Sequence, residues 1–526
     1  MNLNVRTRRS KQVTAWMVVC IFLLGFFYSP VGTWTGPILG AWFVGTQRLR
    51  RGFLWMLGFA LLFALPHLWR HLPHTGPGPL AVYACWTLLA LVLSVLPFTF
   101  YRLTSPHLPG FLSTLPLPLF GVAFAAIERA FLPAGIAGSH TQGLNRALLQ
   151  FAAVFGASAV VFLIDWCAAT TVWLWNYEFR AASIRTGASV FLAAAALAAG
   201  FGLLRQLRGD AQPLALPIGA AFAWLCVAGT VALSAWAIFR SGKDRGWKCT
   251  PEVLSILRSP STREPLRLVC QGNGEALISS SGERFPIRAG IPDLRRPEDL
   301  TGFNHKYNHL YETIGGFYDD TQRVGCALAG FERDAYVMSY LGLLEVKPGD
   351  SVLETSVGTG LNFKYLPTGV RLCGIDLARE MLAKCQSNLR RWHLQADLFL
   401  GNAESLPFAD CSFDVVFHVG GINFFNDRAK AIREMIRVAR PGSRILIADE
   451  TEEHVKASFE RAPITGGYFK NRKEPVAAPV DLVPPEMLET HLEILNVVGK
   501  NRFYALTFRK PATYGSRAKA DTLQAD

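Results

Sequence analysis

Residues able to hold a nucleotide-like ligand are concentrated in the C-terminal half of the chain. The stretch VLETSVGTG, residues 352–360, leads from β-prone residues to an acid and then to a glycine-containing bend. Glycine lets the backbone approach a ligand where a Cβ would collide, and a buried strand ending in such a bend is a common nucleotide-binding turn. The predicted ligand contacts in this stretch are Glu354, Ser356, Gly358 and Gly360.

Two further groups of polar residues follow the next two predicted strands. The strand VRLCGID ends at Asp376, just before Leu377, and a carboxylate in this position can accept hydrogen bonds from both hydroxyls of a ribose. The turn formed by Asn402, Ala403 and Glu404 follows the strand DLFL, and its amide side chain and backbone N–H can reach an adenine edge. Each group also has a purely structural alternative, namely a plain glycine turn, a helix N-cap for the aspartate, or an ordinary turn asparagine.

These residues require a scaffold that places the ends of several strands correctly. Downstream of the glycine bend, predicted strands alternate with predicted helices such as AREMLAKCQSNL and the amphipathic DRAKAIREMIRVAR. Such alternation predicts a parallel sheet with helices on both faces, a doubly wound α/β Rossmann-like fold. Each predicted site residue then lies at or close to the end of a strand.

In their order and spacing, residues of about 330–450 resemble the class I S-adenosylmethionine-dependent methyltransferases, in the ubiquinone/menaquinone-type subgroup. The family motif acid-x-Gly-x-Gly-x-Gly is present with Glu354 for the commoner aspartate and Ser356 for the first glycine. The family's Asp-Ala-x-x-Leu-Pro-Phe turn reads NAESLPF, and its Arg/Lys-Pro-Gly helix end reads RPG at 440–442. A nicotinamide-dependent dehydrogenase would need G-x-G-x-x-G, and Phe363 stands where the third glycine should be.

The resemblance implies a methyltransferase (EC 2.1.1.-) whose cofactor is S-adenosylmethionine, bound by the residues named above. His418, placed just beyond the fourth predicted strand, is the candidate catalytic acid or base because imidazole titrates near neutrality. A structural histidine lining the cleft is the alternative.

The resemblance also suggests which residues surround the acceptor and the cofactor. The sequence NFF after the fourth strand would shape an acceptor pocket. Tyrosines before the sheet would cover the cofactor or, equally, pack a helix. These two groups are Asn423, Phe424 and Phe425, and Tyr307, Tyr311 and Tyr318.

The N-terminal half has a different composition from the site-bearing half. Of the 526 residues 50% are hydrophobic and 18% charged, and the long apolar runs end near residue 240. Runs close to 20 apolar residues match the bilayer core, so an all-α polytopic membrane bundle of about eight spans is predicted. The predicted spans are 13–29, 31–47, 53–69, 80–100, 111–128, 147–173, 187–204 and 217–239.

Basic residues predict the orientation of these spans. They are more frequent before the first span and after the second, fourth, sixth and eighth than in the opposite loops, so both termini are predicted to face the cytoplasm. The predicted location is therefore the inner (cytoplasmic) membrane, multi-pass, with the methyltransferase domain in the cytoplasm. The net charge of +13 follows largely from the same residues, and the soluble half lacks the clustered basic stripe of a nucleic-acid-binding protein.

The predicted domains are a transmembrane domain at 1–245, a small β-rich linker domain at 246–298, a methyltransferase domain at 299–512 and a disordered tail at 513–526. The linker domain resembles a zinc-ribbon-like module with serines where the cysteine ligands would be, so no metal is expected. The membrane half resembles the transmembrane bundle of apolipoprotein N-acyltransferases, without room for their catalytic domain between the last two spans.

Three functions fit these features. The first is methyl transfer at the cytoplasmic membrane face to a lipid or other hydrophobic small-molecule acceptor. The second is a membrane-anchored sensor or scaffold that binds the cofactor without turnover, and the third is an anchored methyltransferase with a soluble substrate. The stretch RAPITGGYFKNRKEP, residues 461–475, combines aromatic and basic residues suited to a membrane surface, with a solvated loop as the alternative.

Overall fold

In a computed structural model the protein divides into two compact units, Met1–Lys243 and Asp244–Asp526. The C-terminal unit is described almost throughout and the N-terminal unit in separate segments. The described residues are 30–46, 52–58, 95–108, 110–131, 157–177, 187, 189–194, 196, 225–232, 247, 249–271, 274–328, 330, 332–461, 466–470, 472, 475–497 and 500–513.

The N-terminal unit is helical wherever it is described. Its three longer helices are α1 (Pro30–Thr46), α2 (Pro116–Phe131) and α3 (Ala157–Asn176). Helix α3 packs against both of the others. The α2–α3 approach is close, because a Cβ on Gly121 would lie 1.8 Å from a carboxylate oxygen of Asp165.

Among the described residues one helix, Ala159–Asn176, is long and apolar enough to cross a membrane. Shorter helical pieces at 52–58, 95–104, 189–194 and 225–232 fall within or across predicted spans. The first predicted span, 13–29, lies outside the described residues. A bundle of about eight spans therefore stays a prediction.

The C-terminal unit begins with a small antiparallel sheet. Helix α4 (Pro251–Ile256) is capped by Thr250, whose side chain accepts from the backbone N–H of Val253. Strands β1 (Arg267–Gln271), β2 (Gly274–Ile278), β3 (Arg284–Arg288) and β4 (Ile291–Pro292) follow, each pairing with the next.

Three helices then precede the main sheet, which has seven strands. The helices are α5 (Gly302–Ile314), α6 (Tyr318–Leu328) and α7 (Arg333–Leu341). The strands are β5 (Ser351–Thr355), β6 (Arg371–Asp376), β7 (Asp397–Leu400), β8 (Val415–Val419), β9 (Arg444–Glu450), β10 (Leu488–Val497) and β11 (Lys500–Arg509). Between them lie α8 (Arg379–Trp392), α9 (Arg428–Val438) and two short helices, α10 (Glu452–His454) and α11 (Gly466–Phe469).

The strand order in the main sheet is β10-β11-β9-β8-β5-β6-β7. Strands β5 to β9 are parallel, and the hairpin of β10 and β11 adds to β9 antiparallel. The chain moves outward from β5 through β6 to β7 and then returns to the other side of β5 as β8. This reversal is a topological switch point, and ligands of open α/β sheets bind outside the carboxyl ends of strands at such a point. The doubly wound fold predicted for this half is confirmed.

The small sheet shares one hydrophobic core with the seven-stranded sheet. Leu257 and Leu277 are fully buried in the same cluster as Phe399 and Phe408. The backbone N–H of Leu294 also donates to the carbonyl of Leu400 over 2.7 Å, at the end of β7. The small sheet is therefore packed against the main sheet and is more than a spacer.

Serines in the small sheet are hydrogen-bonded to acids and to each other. Ser259 donates to the carboxylate of Glu283, and the hydroxyls of Ser279 and Ser281 lie 2.9 Å apart. Among the described residues no group of three or more His, Cys, Asp or Glu is arranged to hold a metal ion.

Candidate cofactor site

The carboxyl ends of β5, β6, β7, β8 and β9 bring most of the predicted site residues to one edge of the sheet. Register places Glu354 beside Gly374 and Phe417, and Thr355 beside Ile375 and His418. Since side chains alternate along a strand, Glu354 and Asp376 share one face of the sheet. His418 and Thr355 share the opposite face.

The bend after β5 has the left-handed backbone that its glycines permit. Gly358 and Gly360 have φ angles of 55° and 74°, and Ser356 has a φ of 59°, which is unfavourable for a residue with a Cβ. A Cβ on Gly360 would lie 2.6 Å from Sγ of Cys385 in α8. Glycine at 360 is thus required by packing against α8 as well as by the turn.

Asp376 joins this bend to the start of α8. Its Oδ2 accepts from the N–H of Gly358 over 2.8 Å, and its Oδ1 accepts from the N–H of Ala378 over 2.8 Å. Burial raises the pKa of Asp376 to about 6, opposed by these N–H donors. Asp376 is partly exposed as a residue and each oxygen of its carboxylate keeps a lone pair, so it can still accept from ligand hydroxyls.

Glu354 is 1% exposed and only half satisfied. Its Oε1 accepts from Nδ2 of Asn362 over 2.5 Å, and the hydroxyl of Tyr340 donates to Oδ1 of Asn362 over 2.7 Å. Its Oε2 is buried without a hydrogen-bond partner among the described residues. Burial, with the Asp376 carboxylate nearby, holds the pKa of Glu354 well above its usual range. An orphaned buried oxygen of this kind calls for a hydrogen-bond partner, which a bound ligand can supply.

The turn after β7 is held by the protein itself. Oδ1 of Asn402 accepts from the N–H of Glu404 over 2.9 Å, and its Nδ2 donates to Asp299 over 3.1 Å. Leu377, at the neighbouring turn, accepts at its carbonyl from Arg295 over 3.4 Å. The Asn402 amide is thus already engaged, and what the turn, including Ala403, can offer an adenine is its backbone and shape.

Glu404 is buried and ties two segments together. Its Oε1 accepts from Nδ2 of Asn304 over 3.0 Å and from the N–H of Asn426 over 2.9 Å. Asn304 belongs to α5 and Asn426 to the loop after β8. Its predicted contact with a cofactor stays a prediction, while its contacts within the fold are clear.

His418 lies inside β8 and not beyond it as the sequence suggested. It is 0% exposed, its Nδ1 is 3.1 Å from Oγ1 of Thr355, and its ring packs edge-on against Phe425. Its Nε2 has no partner among the described residues. Burial lowers the pKa of His418 to about 4, so the ring is neutral at physiological pH. These features favour the structural alternative, because the apolar run DVVFHV continues the strand through the histidine.

Residues expected to shape the acceptor pocket are mostly used for packing. Asn423 donates from Nδ2 to Asp449 over 3.1 Å and to the hydroxyl of Tyr504 over 2.9 Å. Phe424 stacks on Tyr307 with ring centroids 4.5 Å apart. Phe469, from the stretch 461–475, is 3% exposed within this same aromatic cluster. Residues 462–465, 471, 473 and 474 lie outside the described part of the chain, so a membrane-surface role for the stretch stays a prediction.

Tyr311 and Tyr318 are the other two tyrosines expected to cover the cofactor. Their rings meet edge to face at 6.0 Å, and burial raises the pKa of both, with the Glu450 carboxyl adding to the shift. Glu450 ends β9, and burial beside the Asp449 carboxylate holds its pKa well above the usual range. Sequence reasoning did not single out Asp449 and Glu450. The run ADE at the end of β9 nevertheless repeats the pattern of a strand followed by an acid that VLET and CGID show.

Comparison with known proteins agrees with this geometry. Residues 353–447 match the family described as "Methyltransferase domain". This part of the chain is a methyltransferase domain. The cofactor of the methyltransferase domain is S-adenosylmethionine.

Similar proteins match about a quarter to two fifths of the chain. A demethylmenaquinone methyltransferase of Corynebacterium efficiens is 34% identical over 142 residues, 27% of this chain and 57% of that protein. A ubiquinone/menaquinone biosynthesis C-methyltransferase UbiE of Geotalea daltonii is 29% identical over 156 residues, 28% of this chain and 65% of that protein. The chain thus spans less than two thirds of either relative. The solved structure of an S-adenosylmethionine-dependent methyltransferase of Thermotoga maritima is also similar, with 18% identity and a TM-score of 0.29. The match covers 38% of this chain and 98% of that chain.

The residues of the site fit S-adenosylmethionine. The left-handed bend at 356–360 leaves its backbone free of Cβ atoms at two glycines, and the Asp376 carboxylate retains accepting capacity for ribose hydroxyls. The unpartnered Oε2 of Glu354 is one more polar atom able to hydrogen-bond with the cofactor.

Proposed function

We propose that the protein transfers a methyl group from S-adenosylmethionine to a lipid or other hydrophobic acceptor at the cytoplasmic face of the inner membrane. The methyltransferase domain supports the reaction type. Relatives named for demethylmenaquinone and for ubiquinone/menaquinone biosynthesis favour a quinone-like acceptor within that class. The apolar N-terminal half supports the membrane location.

The proposal is supported most strongly by the hydrogen bond that joins the turn after β5 to the end of β6 at the switch point. The Gly358 N–H donates to Asp376, so the backbone bend and the ribose-binding carboxylate have a fixed separation before any ligand arrives. The orphaned oxygen of Glu354 lies on the same face of the sheet. In this arrangement Glu354, Ser356, Gly358, Gly360, Asp376, Leu377, Asn402 and Ala403 would hold the cofactor.

S-adenosylmethionine supplies an electrophilic methyl group, so the chain's own residues have to bind, align and exclude water. Tyr307 and Tyr311 on α5 and Tyr318 at the start of α6 would cover the cofactor and exclude water. The neutral, enclosed His418 is poorly suited to taking a proton from the acceptor. The partly exposed Glu450 stands at the carboxyl end of β9, where a carboxyl group could do so.

Binding of S-adenosylhomocysteine, the demethylated product, tests the proposal without requiring the acceptor. Purified full-length protein in detergent micelles should bind it with micromolar-range affinity in a calorimetric titration and should not bind NAD. A folded protein that ignores S-adenosylhomocysteine, or prefers NAD, contradicts the proposal.

A further inference from the structure

Helix α5 lies across both turns of the cofactor site and is fastened to each by a side chain. Near its start, Nδ2 of Asn304 donates to Glu404 over 3.0 Å, in the turn after β7. Near its end, Oε1 of Glu312 accepts from the N–H of Arg379 over 2.6 Å, three residues beyond Asp376. Residues eight apart lie along one stripe of a helix, so both contacts come from the side of α5 that faces the sheet edge.

The first turn of α5 is completed by a residue distant in sequence. Thr301, the N-cap, makes no side-chain capping bond. Instead Oδ1 of Asn426 accepts from the N–H of Phe303 over 2.7 Å, and its Nδ2 donates to the carbonyl of Thr301 over 3.0 Å. A Cβ on Gly302 would lie 2.5 Å from Oδ1 of Asn426, so glycine is needed for this contact.

Glu404 is the point at which these contacts meet. Its carboxylate accepts both the Asn304 amide and the Asn426 backbone N–H. Asn304 and Glu404 are each 6% exposed. Hydrogen bonds to a charged acceptor are stronger than neutral ones, and removing a donor leaves buried charge uncompensated. The position of α5, and with it Tyr307 and Tyr311, therefore depends on this carboxylate.

We infer that Asn304, Glu404 and Asn426 are positioning residues that fasten α5 as a strap over the cofactor. In this role the Glu404 carboxylate does not contact the cofactor but slows its release. The inference rests on the proposed function, because the strap matters to the reaction only if S-adenosylmethionine binds beneath it.

A double-mutant cycle on full-length protein in detergent micelles separates a strap anchor from a direct ligand. The variants are Asn304→Ala, Glu404→Ala and the double variant, with His305→Ala as a matched control because His305 is exposed on the same helix. Each single substitution should raise the Kd of S-adenosylhomocysteine about 5–20-fold through faster dissociation. The double variant should bind no worse than about the weaker single variant, because both remove the same bond. The KM for S-adenosylmethionine should rise while kcat at saturation stays within about 2-fold.

Two results would overturn the strap. If Asn304→Ala binds like the wild type while Glu404→Ala does not, or if their effects multiply, Glu404 acts on the cofactor directly. The conservative Glu404→Gln keeps an accepting oxygen and should bind within about 3-fold of wild type, which guards against a folding defect in the alanine variant.

Hydrogen exchange of ligand-free protein makes the strap testable independently of cofactor binding. Amides of residues 302–314 should exchange at least about tenfold faster in Asn304→Ala and Glu404→Ala than in His305→Ala, because loosened segments open more often. Unchanged exchange in α5 contradicts the strap even if S-adenosylhomocysteine binds. If the strap loosens as expected but wild-type protein does not bind S-adenosylhomocysteine, the proposed function fails and the fastening of α5 stands.

Discussion

The N–H of Gly358 donates to Oδ2 of Asp376 over 2.8 Å, so the glycine bend after β5 is joined to the acid that ends β6. The other oxygen of the same carboxylate is bound by the N–H of Ala378 at the start of α8. One side chain thus fixes two turns, and Asp376 as a residue remains partly exposed. A ligand that uses both turns meets a prearranged surface, which reduces the entropy lost on binding.

Replacement of Asp376 tests its part in that junction. Asp376→Ala should weaken S-adenosylhomocysteine binding by about 1.5–3 kcal/mol, the range for hydrogen bonds that involve a charged group. Calorimetric titration of the full-length variant measures the change, with thermal unfolding as the check on folding. An affinity equal to wild type would return Asp376 to a purely capping role.

The protonation state of Asp376 predicts a pH dependence. Its pKa is raised to about 6, so the ionised, hydroxyl-accepting form dominates above pH 7 and is lost as the pH falls through 6. Affinity for S-adenosylhomocysteine should be level above pH 7 and fall by up to about tenfold per pH unit below 6. Asp376→Asn should bind more weakly at pH 7.5 and flatten this profile, and a profile identical to wild type would contradict the assignment.

The glycine at 360 should be needed for packing and not only for its φ angle. Gly360→Ala places a Cβ against Sγ of Cys385, whereas Gly349→Ala, with a φ of 94°, meets nothing within 4 Å. The control should lose about 1–2 kcal/mol of unfolding free energy for the left-handed backbone, and Gly360→Ala should lose at least about 1 kcal/mol more from overpacking. Urea dependence of proteolysis of the C-terminal unit measures both. Adding Cys385→Ala to Gly360→Ala should remove the extra loss of unfolding free energy. If Gly360→Ala and Gly349→Ala lose equal unfolding free energy while Cys385 is present, the collision is excluded.

His418 should prove dispensable as a proton acceptor. Its pKa is lowered to about 4 by burial, so no inflection near pH 6.5 should appear in kcat, and His418→Asn should retain kcat within about tenfold. A positioned general base contributes about 10²–10⁴-fold, so a loss of that size with unchanged cofactor affinity would restore His418 to catalysis.

The sequence contained enough to predict the doubly wound sheet, because apolar strands such as VLET and SRILIADE alternate with helices of clear amphipathic period. It also located Glu354, Gly358, Gly360 and Asp376 at strand ends, since local order along the chain becomes adjacency at one sheet edge. It could not show that Asn402 and Glu404 are engaged by Asp299, Asn304 and Asn426, because those contacts join segments about 20 to 100 residues apart. His418 was misplaced by one element boundary, the part of a structure that pattern reasoning fixes least well.

The packing of the small sheet and of the residues around Phe469 was also beyond pattern reasoning, because the residue types of both segments suit an exposed role. Trp247 and Phe285 join the main core, and Arg472 is paired with Glu452 over 2.8 Å and Glu460 over 3.1 Å. Composition reports what a segment can contact, whereas tertiary packing decides what it does contact.

The apolar half should matter for delivery of the acceptor. If the acceptor partitions into the bilayer, a site held at the membrane surface meets it at a higher effective concentration. A fragment of residues 244–526 should keep its affinity for S-adenosylhomocysteine, while its turnover of membrane-held acceptor falls at least about fivefold below that of full-length protein in the same vesicles. Equal turnover by the fragment would show that the N-terminal unit plays no part in delivery.

A radiolabelled methyl group reports whether the protein methylates a hydrophobic acceptor. Membranes containing the full-length protein, incubated with S-[methyl-³H]adenosylmethionine and extracted with organic solvent, should transfer label to the lipid phase. Matched membranes with the Asp376→Ala variant should transfer at least about tenfold less. Label that stays in the aqueous phase, from protein that binds S-adenosylhomocysteine normally, would contradict methyl transfer to a hydrophobic acceptor.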